Sequence, residues 1–169
     1  FYSSRCFKNK NLMSSRIKKV FEDSSKKLVT FVTGGDPDYI TSKEILDKII
    51  EKGADVIEIG MPFSDPMADG PTIQLASKRA IDNGTNLETI FKICNHIREK
   101  NFSIPIVLMG YYNVILHYGI KNFVDKINSI GVDGLIVVDL QPEEDQELYD
   151  NLKSKNIDLI RLITPNTNS

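Results

Sequence analysis

Residues 56–74 read VIEIGMPFSDPMADGPTIQ. The run from Val56 to Gly60 is apolar apart from Glu58, which predicts a short buried strand. The proline, serine and aspartate residues that follow predict a loop, and Pro71 directly after a glycine predicts the first turn of a helix. The stretch is therefore one strand–loop–helix unit with two carboxylates, Glu58 in the strand and Asp69 just before the helix.

Units of the same kind recur along the chain. Apolar runs rich in β-branched residues predict five strands of a parallel sheet that is buried on both faces, at Leu28–Thr33, Val56–Gly60, Ile104–Met109, Gly134–Asp139 and Asp158–Thr164. Apolar residues at helical spacing predict helices between them: one opened by a Thr41-x-x-Glu44 capping box, one from Pro71 to Asn83-Gly84, one from Leu87, one from Ile120 to Ile130 closed by Gly131, and one from Pro142.

Five such units fit either a doubly wound open sheet or a (β/α)8 barrel. The turn after the first strand, residues 33–37, reads TGGDP, which is neither a dinucleotide-binding fingerprint nor a phosphate-binding loop of the Walker type. The strands instead end in polar residues, as the active sites of barrels require: Thr33, Glu58, Asn113, Asp139 and Thr164. The sequence therefore favours an α/β fold consisting of the first five βα units of a (β/α)8 TIM barrel, with three further units expected after Ser169.

Composition restricts the classes of function. The chain has 169 residues, 41% of them apolar, and a formal charge of −2, which gives no electrostatic support for general nucleic-acid binding. No apolar run is long enough to span a membrane. The cysteines and histidines are too scattered for a structural metal, so none is expected: Cys6, Cys94, His96 and His117.

The first residues differ from the rest in charge. Six basic residues precede Glu22, the first acidic one. Residues 1–12 are therefore interpreted as a leader, either an organellar transit-peptide remnant or a non-native upstream segment with Met13 as the start, and residues 13–169 as one partial barrel domain. This predicts a location in the cytoplasm or in the plastid stroma.

Glu58 and Asp69 are the candidate catalytic residues. Strand alternation places Glu58 on one face with Val56 and Gly60, and in a barrel a carboxylate there is poorly solvated, so its pKa is expected to rise. A core Glu paired with a basic group is the structural alternative. Asp69 is equally typical of a helix cap. The presence of both residues favours a catalytic role, because two carboxylates in different environments can divide acid, base and electrostatic tasks.

The stretch from Glu58 to Gln74 closely resembles the signature of the tryptophan synthase α-subunit family. Further segments agree in the same order, and the resemblance covers roughly Met13 to the end: residues 31–37, Pro105 through Tyr111-Tyr112-Asn113, residues 131–134 and Val138-Asp139. A long ungapped motif is far more specific than a short pattern.

The resemblance implies a lyase that cleaves indole-3-glycerol phosphate to indole and glyceraldehyde 3-phosphate in tryptophan biosynthesis. By it, Glu58 is the general acid/base and Asp69 binds the indole N–H. It places Phe31, Met109 and Tyr111 around the indole ring, although core packing is the alternative for each, and the stronger one for Met109. Asp139 matches a loop residue near the site, and a capping role is equally compatible with its position.

The resemblance also implies a partner, the tryptophan synthase β subunit in an α2β2 complex, which would be contacted by Pro62, Phe63, Asp65 and Asn113. No cofactor is expected in this chain, and pyridoxal phosphate is expected only in the partner. Two alternatives stay open: another phosphosugar (β/α)8 enzyme of the indole pathway, or a non-catalytic module that docks on the β subunit. Since the family's phosphate-binding loops are absent, we expect the 169-residue chain itself to be poorly active.

Overall fold

The computed structural model describes residues 15–141 and 144–163. Within them, helices and strands alternate in the order α1 (Ser15–Val20), β1 (Val29–Thr33), α2 (Tyr39–Glu51), β2 (Val56–Gly60), α3 (Pro71–Asp82), α4 (Leu87–Lys100), β3 (Ile106–Gly110), α5 (Tyr112–Tyr118), α6 (Ile120–Ile130), β4 (Gly134–Val137), α7 (Gln146–Ser154) and β5 (Asp158–Ile160). The predicted leader 1–12, Cys6, the helix start at Pro142, and Thr164 lie outside the described residues.

The five strands form one sheet in the order β1-β2-β3-β4-β5, and every neighbouring pair is parallel. The predicted parallel α/β arrangement is therefore confirmed. Because all five strands run the same way, their carboxyl ends meet along one edge of the sheet, which we call the carboxyl edge. Their amino ends meet along the opposite amino edge.

The register assigns each residue to a face of the sheet. Phe31 pairs with Glu58, Glu58 with Val107, and Val107 with Gly134, so these four positions form one row on the same face. On this inner face Val107 packs with neighbouring strand residues and with Ile17 of α1. The opposite, outer face packs against the helices in the larger core, through residues that include Ile57, Ile59, Leu108, Phe91 and Phe123.

The amino edge is closed by a buried ion-pair network. Asp133, immediately before β4, is 2% exposed. One of its carboxylate oxygens accepts a hydrogen bond from Arg16 of α1 at 2.9 Å. The other accepts from Arg98 of α4 at 3.1 Å and from the Ile106 backbone N–H at 3.0 Å. The network joins α1, α4 and two strands.

Helix boundaries follow the predictions with two corrections. α2 begins at Tyr39, since the Asp38 side chain accepts from the backbone N–H groups of Ile40 and Thr41 at 2.9 Å each. The predicted capping box at Thr41 is therefore wrong, because Asp38 already satisfies the first N–H groups of the helix. The short helix α5 was not predicted, because seven residues give little periodicity to recognise.

Candidate active site

Glu58 is the middle residue of β2, the second of the five strands. It is 9% exposed and sits on the inner face, between Phe31 of β1 and Val107 of β3. The next inner-face position of β2 toward the carboxyl edge is Gly60, which has no side chain. A Cβ atom on Gly60 would lie 2.7 Å from Cζ of Phe31. This glycine therefore lets the Phe31 ring lie against β2 above Glu58.

Asp69 is held by a tyrosine. Its Oδ2 accepts a hydrogen bond from the hydroxyl of Tyr111 at 3.1 Å, and that hydroxyl in turn accepts from the Ala68 backbone N–H at 2.9 Å. The N-cap of α3 is Gly70, and it has no side-chain capping bond. The alternative in which Asp69 caps the helix is therefore not what the structure adopts, and its carboxylate faces a side chain from a different strand–helix unit.

Tyr111 keeps its proton at neutral pH. Burial raises the pKa of Tyr111, and its hydrogen bond to the Asp69 carboxylate raises it further. A neutral phenol in this position is a donor, so one oxygen of Asp69 is engaged and the carboxylate has a fixed orientation. The geometry leaves Asp69 able to accept a second hydrogen bond from an N–H group.

A small cavity of about 20 Å³ opens at the carboxyl edge next to Asp69. It brings together four of the five residues that were predicted for catalysis and substrate binding, namely Phe31, Asp69, Met109 and Tyr111. Glu58 is not among the lining residues, because it lies one inner-face position below Gly60. The other lining residues are Thr33, Gly60, Met61, Ile73, Ser77, Gly110 and Val138.

Sequence reasoning missed part of this lining. The sequence pattern indicates Thr33 only as a polar strand end, and it predicts no role in the site for Ile73 or Ser77. A signal was present: Asp69, Ile73 and Ser77 are spaced by four residues, so a helix that starts near Pro71 places them along one face.

A second cleft of about 460 Å³ lies beside the first, between the loop after β2, the start of α4, and α5. Three of the four predicted partner-contact residues line it, namely Pro62, Phe63 and Asn113. Asp65 does not line this cleft and is exposed to solvent. The ring centroid of Phe63 lies 5.2 Å from that of Tyr111, and Met61 lines both clefts, so the two clefts are neighbours.

Asp139 has a structural role. Its carboxylate accepts a hydrogen bond from the Tyr112 backbone N–H at 2.8 Å, where α5 begins. It therefore caps α5 from the end of a neighbouring strand, which agrees with the capping alternative.

The described residues provide neither a metal site, nor a reactive thiol, nor a membrane-spanning helix. Among residues 15–141 and 144–163, no group of three or more His, Cys, Asp or Glu side chains is arranged to hold a metal ion. Cys94 is a buried thiol, and burial raises its pKa to about 12, so it is unreactive at neutral pH. None of the described helices is long and apolar enough to cross a membrane.

Comparison with known proteins reveals close relatives. A family model described as "Tryptophan synthase alpha chain" matches residues 17–169. The tryptophan synthase alpha chain of Petrotoga mobilis is 48% identical over 153 residues, and that of Geobacter sp. strain M21 is 49% identical over 157 residues. These matches cover 90% and 93% of this chain. The chain spans 58% of the length of each of these curated relatives.

Solved structures agree in fold. The tryptophan synthase subunit alpha of Legionella pneumophila superposes with a TM-score of 0.88 at 35% identity, covering 91% of this chain and 60% of that one. A tryptophan synthase complex from Pyrococcus furiosus gives a TM-score of 0.79 at 41% identity, covering 84% and 58%. The predicted fold is thereby confirmed: the described strands are five strands of a (β/α)8 barrel, and only part of that barrel is present.

Proposed function

The chain belongs to the tryptophan synthase alpha chain family, and we propose that it supplies the catalytic carboxylates of an enzyme that cleaves indole-3-glycerol phosphate to indole and glyceraldehyde 3-phosphate. The reaction is a retro-aldol cleavage. Indole leaves poorly as a carbanion, so the ring carbon that bears the glycerol chain must be protonated as the carbon–carbon bond breaks.

Glu58 is the proton donor and acceptor in this proposal. It gives its proton to that ring carbon, and the electrons of the breaking carbon–carbon bond restore the aromatic ring. The adjacent hydroxyl of the chain loses its proton and becomes the aldehyde, which returns one proton to the carboxylate. The placement of Glu58 on the inner face, one inner-face position below the Gly60 that lines the cavity, supports this role, because it puts the carboxyl group next to the site of the reaction.

Asp69 accepts the indole N–H in this proposal. Protonation of the ring puts positive charge on the nitrogen, and a fixed negative charge beside it stabilises the transition state. The hydrogen bond from Tyr111 supports the assignment, because it orients the carboxylate before the substrate arrives. Phe31, Met109 and the ring of Tyr111 supply apolar contacts to the indole, consistent with their place in the cavity lining.

The partner in this proposal is a tryptophan synthase β subunit, which docks beside the active site on Pro62, Phe63, Asp65 and Asn113. The second cleft supports this placement, since three of these residues line it and it adjoins the active-site cavity through Phe63 and Tyr111. The tryptophan synthase of Pyrococcus furiosus is an α2β2 complex. Pyridoxal phosphate is assigned to the partner, and this chain uses no cofactor of its own.

The observation that carries the proposal is the placement of two carboxylates at different depths near the carboxyl edge, Glu58 buried on the inner face and Asp69 at the cavity wall. The test uses the completed chain, in which these 169 residues are joined to the part of the Petrotoga mobilis relative that continues beyond the match. Indole release from indole-3-glycerol phosphate is measured for the wild type and for Glu58→Gln, which keeps the shape of the side chain but cannot transfer a proton.

Glu58→Gln should lower kcat by roughly 100- to 10,000-fold, the usual contribution of a positioned acid/base. It should leave binding to a β subunit unchanged. Glu99→Gln, on the exposed surface of α4, is the matched control and should keep wild-type turnover. Full activity of Glu58→Gln, or ring closure in place of indole release by the wild type, would contradict the proposal.

A further inference from the structure

The turn that follows β1, from Gly34 to Pro37, has no task in the proposed reaction, yet it is firmly held. The Gly34 N–H donates a hydrogen bond to the Gly60 carbonyl of β2 at 2.9 Å. The Gly35 N–H donates to the Ser42 hydroxyl of α2 at 3.0 Å. Because the turn is joined to two other elements, it is a fixed point at the carboxyl edge to which a further element can be attached.

Two side chains at the C-terminal end of α3 reach this turn. Nε and Nη2 of Arg79 donate to the two carboxylate oxygens of Asp36, each at 2.8 Å. Nδ2 of Asn83, the C-cap of the helix, donates to the Pro37 carbonyl at 2.7 Å. A guanidinium that binds a carboxylate through two parallel hydrogen bonds fixes the orientation of the two groups as well as their distance. One end of α3 is therefore attached to the turn after β1.

The packing of α3 explains why this attachment matters. The helix packs against β1, and its buried residues are all small, namely Ala76, Ser77 and Ala80. Small side chains form shallow ridges with few contacts, so packing alone resists a shift of the helix less than large interlocking side chains would. The hydrogen bonds of Arg79 and Asn83 therefore determine where α3 lies along its own axis.

The other end of α3 carries Asp69. The helix begins at Pro71, and Nε2 of Gln74 in its first turn donates to the Asp69 carbonyl at 2.9 Å. The loop that leads from β2 to this point, residues 61–70, is half exposed. The backbone position of Asp69 is therefore set more by α3 than by the loop, whereas the Tyr111 hydroxyl sets the direction of the carboxylate.

Arg79 is too far from the site to touch the substrate. It lies eight residues after Pro71, roughly 12 Å further along the helix, and it does not line the cavity beside Asp69. Its side chain is 54% exposed, and an ion pair in such a position contributes little to stability. The effect of the pair is therefore expected in the placement of α3.

We propose that Arg79 and Asp36 form a positioning pair, which fixes the place of α3 and so holds Asp69 where it binds the ring N–H of the substrate. This inference rests on the proposed function, in which Asp69 stabilises the charge on the protonated ring. Loss of the pair displaces Asp69 in the transition state, although no group that touches the substrate is removed.

The test measures indole release by the completed chain that carries Arg79→Met. kcat should fall by roughly 3- to 10-fold, less than the roughly 100-fold that a displacement of about 1 Å can cost. KM should change by less than about twofold, because the groups that contact the substrate are all kept. The unfolding temperature should fall by no more than about 4 °C, since an exposed ion pair stabilises little. Asp36→Asn should give the same loss of kcat, and the double variant should lose no more than either single change.

Lys78→Met is the matched control. Lys78 precedes Arg79 on α3, is 71% exposed and forms its ion pair with Asp82 of the same helix at 2.8 Å. It loses an exposed cation and an ion pair, as Arg79→Met does, but that ion pair does not connect two elements. It should keep the wild-type kcat and KM, and a loss of kcat equal to that of Arg79→Met would contradict the inference.

Tyr111→Phe separates the positioning of Asp69 from a general effect on the fold. Because Asp69 is already displaced in this variant, adding Arg79→Met should lower kcat by less than about twofold. The same loss from Arg79→Met with and without Tyr111→Phe would overturn the inference, as would a wild-type kcat for Arg79→Met. A wild type that releases no indole would instead overturn the proposed function.

Discussion

The two edges of the sheet hold their acidic side chains in different ways. At the amino edge, Asp133 accepts hydrogen bonds from Arg16, Arg98 and a backbone N–H, so its charge is fully paired inside the protein. At the carboxyl edge, Asp69 accepts a hydrogen bond from the Tyr111 hydroxyl and lines a cavity.

The difference follows from the role of each edge, which is stability at the amino edge and ligand binding at the carboxyl edge. A buried carboxylate that is paired with several groups holds the helices and strands that carry those groups together. This agrees with the general role of the amino edge of a barrel, which is stability. A site that binds a ligand must leave hydrogen-bonding groups unsatisfied until the ligand arrives, and barrels build their active sites at the carboxyl edge. The comparison predicts that changes at the amino edge reduce stability, whereas changes at the carboxyl edge reduce activity.

The largest effect is expected from Asp133→Ala. Removing the carboxylate leaves the buried guanidinium of Arg98 without its counterion, and breaking a buried pair in this way costs about 3–5 kcal/mol. Urea unfolding of the completed chain measures the loss. The molecules that remain folded should turn over at the wild-type rate, and a stability change below about 1 kcal/mol would contradict the comparison.

Gly60→Ala should have an intermediate effect on stability and a large one on activity. The new Cβ would lie 2.7 Å from Cζ of Phe31, so the ring must move out of its place above Glu58. Overpacking of this kind costs about 1–3 kcal/mol. Turnover should fall more than tenfold, since a small displacement of positioning groups lowers rates strongly. Gly53→Ala has no atoms within 4 Å of its Cβ and serves as a steric control, although its positive φ adds backbone strain.

The smallest change in stability is expected from Tyr111→Phe. It removes the hydrogen bond to Asp69 and leaves the Ala68 N–H without its acceptor, at a cost of about 1 kcal/mol. Turnover should fall roughly tenfold, because Asp69 loses its fixed orientation. Unfolding and kinetic measurements on the same variant would show whether turnover falls by more than the free energy of unfolding accounts for. A large loss of stability with little loss of turnover would contradict the difference between the two edges.

Local sequence signals identified most of the fold. The strand Val56–Gly60 and the helix from Ile120 to Gly131 are found where they were predicted, because long apolar periodicity and a glycine C-cap are read within a few residues. The start of α2 was misplaced, since two residue types that both cap helices, Asp38 and Thr41, compete within four positions.

The sequence by itself determined the alternation of strands and helices, the burial of Glu58 within an apolar strand, and the family to which the motif from Glu58 to Gln74 belongs. All of these depend on residues close together in the chain. Only the tertiary structure decided that Asp69 faces Tyr111 instead of capping its own helix, that Gly60 makes room for the Phe31 ring, and that Thr33 and Ser77 share a cavity. Those contacts join residues from different βα units, and local periodicity carries no information about which side chains a folded sheet brings together.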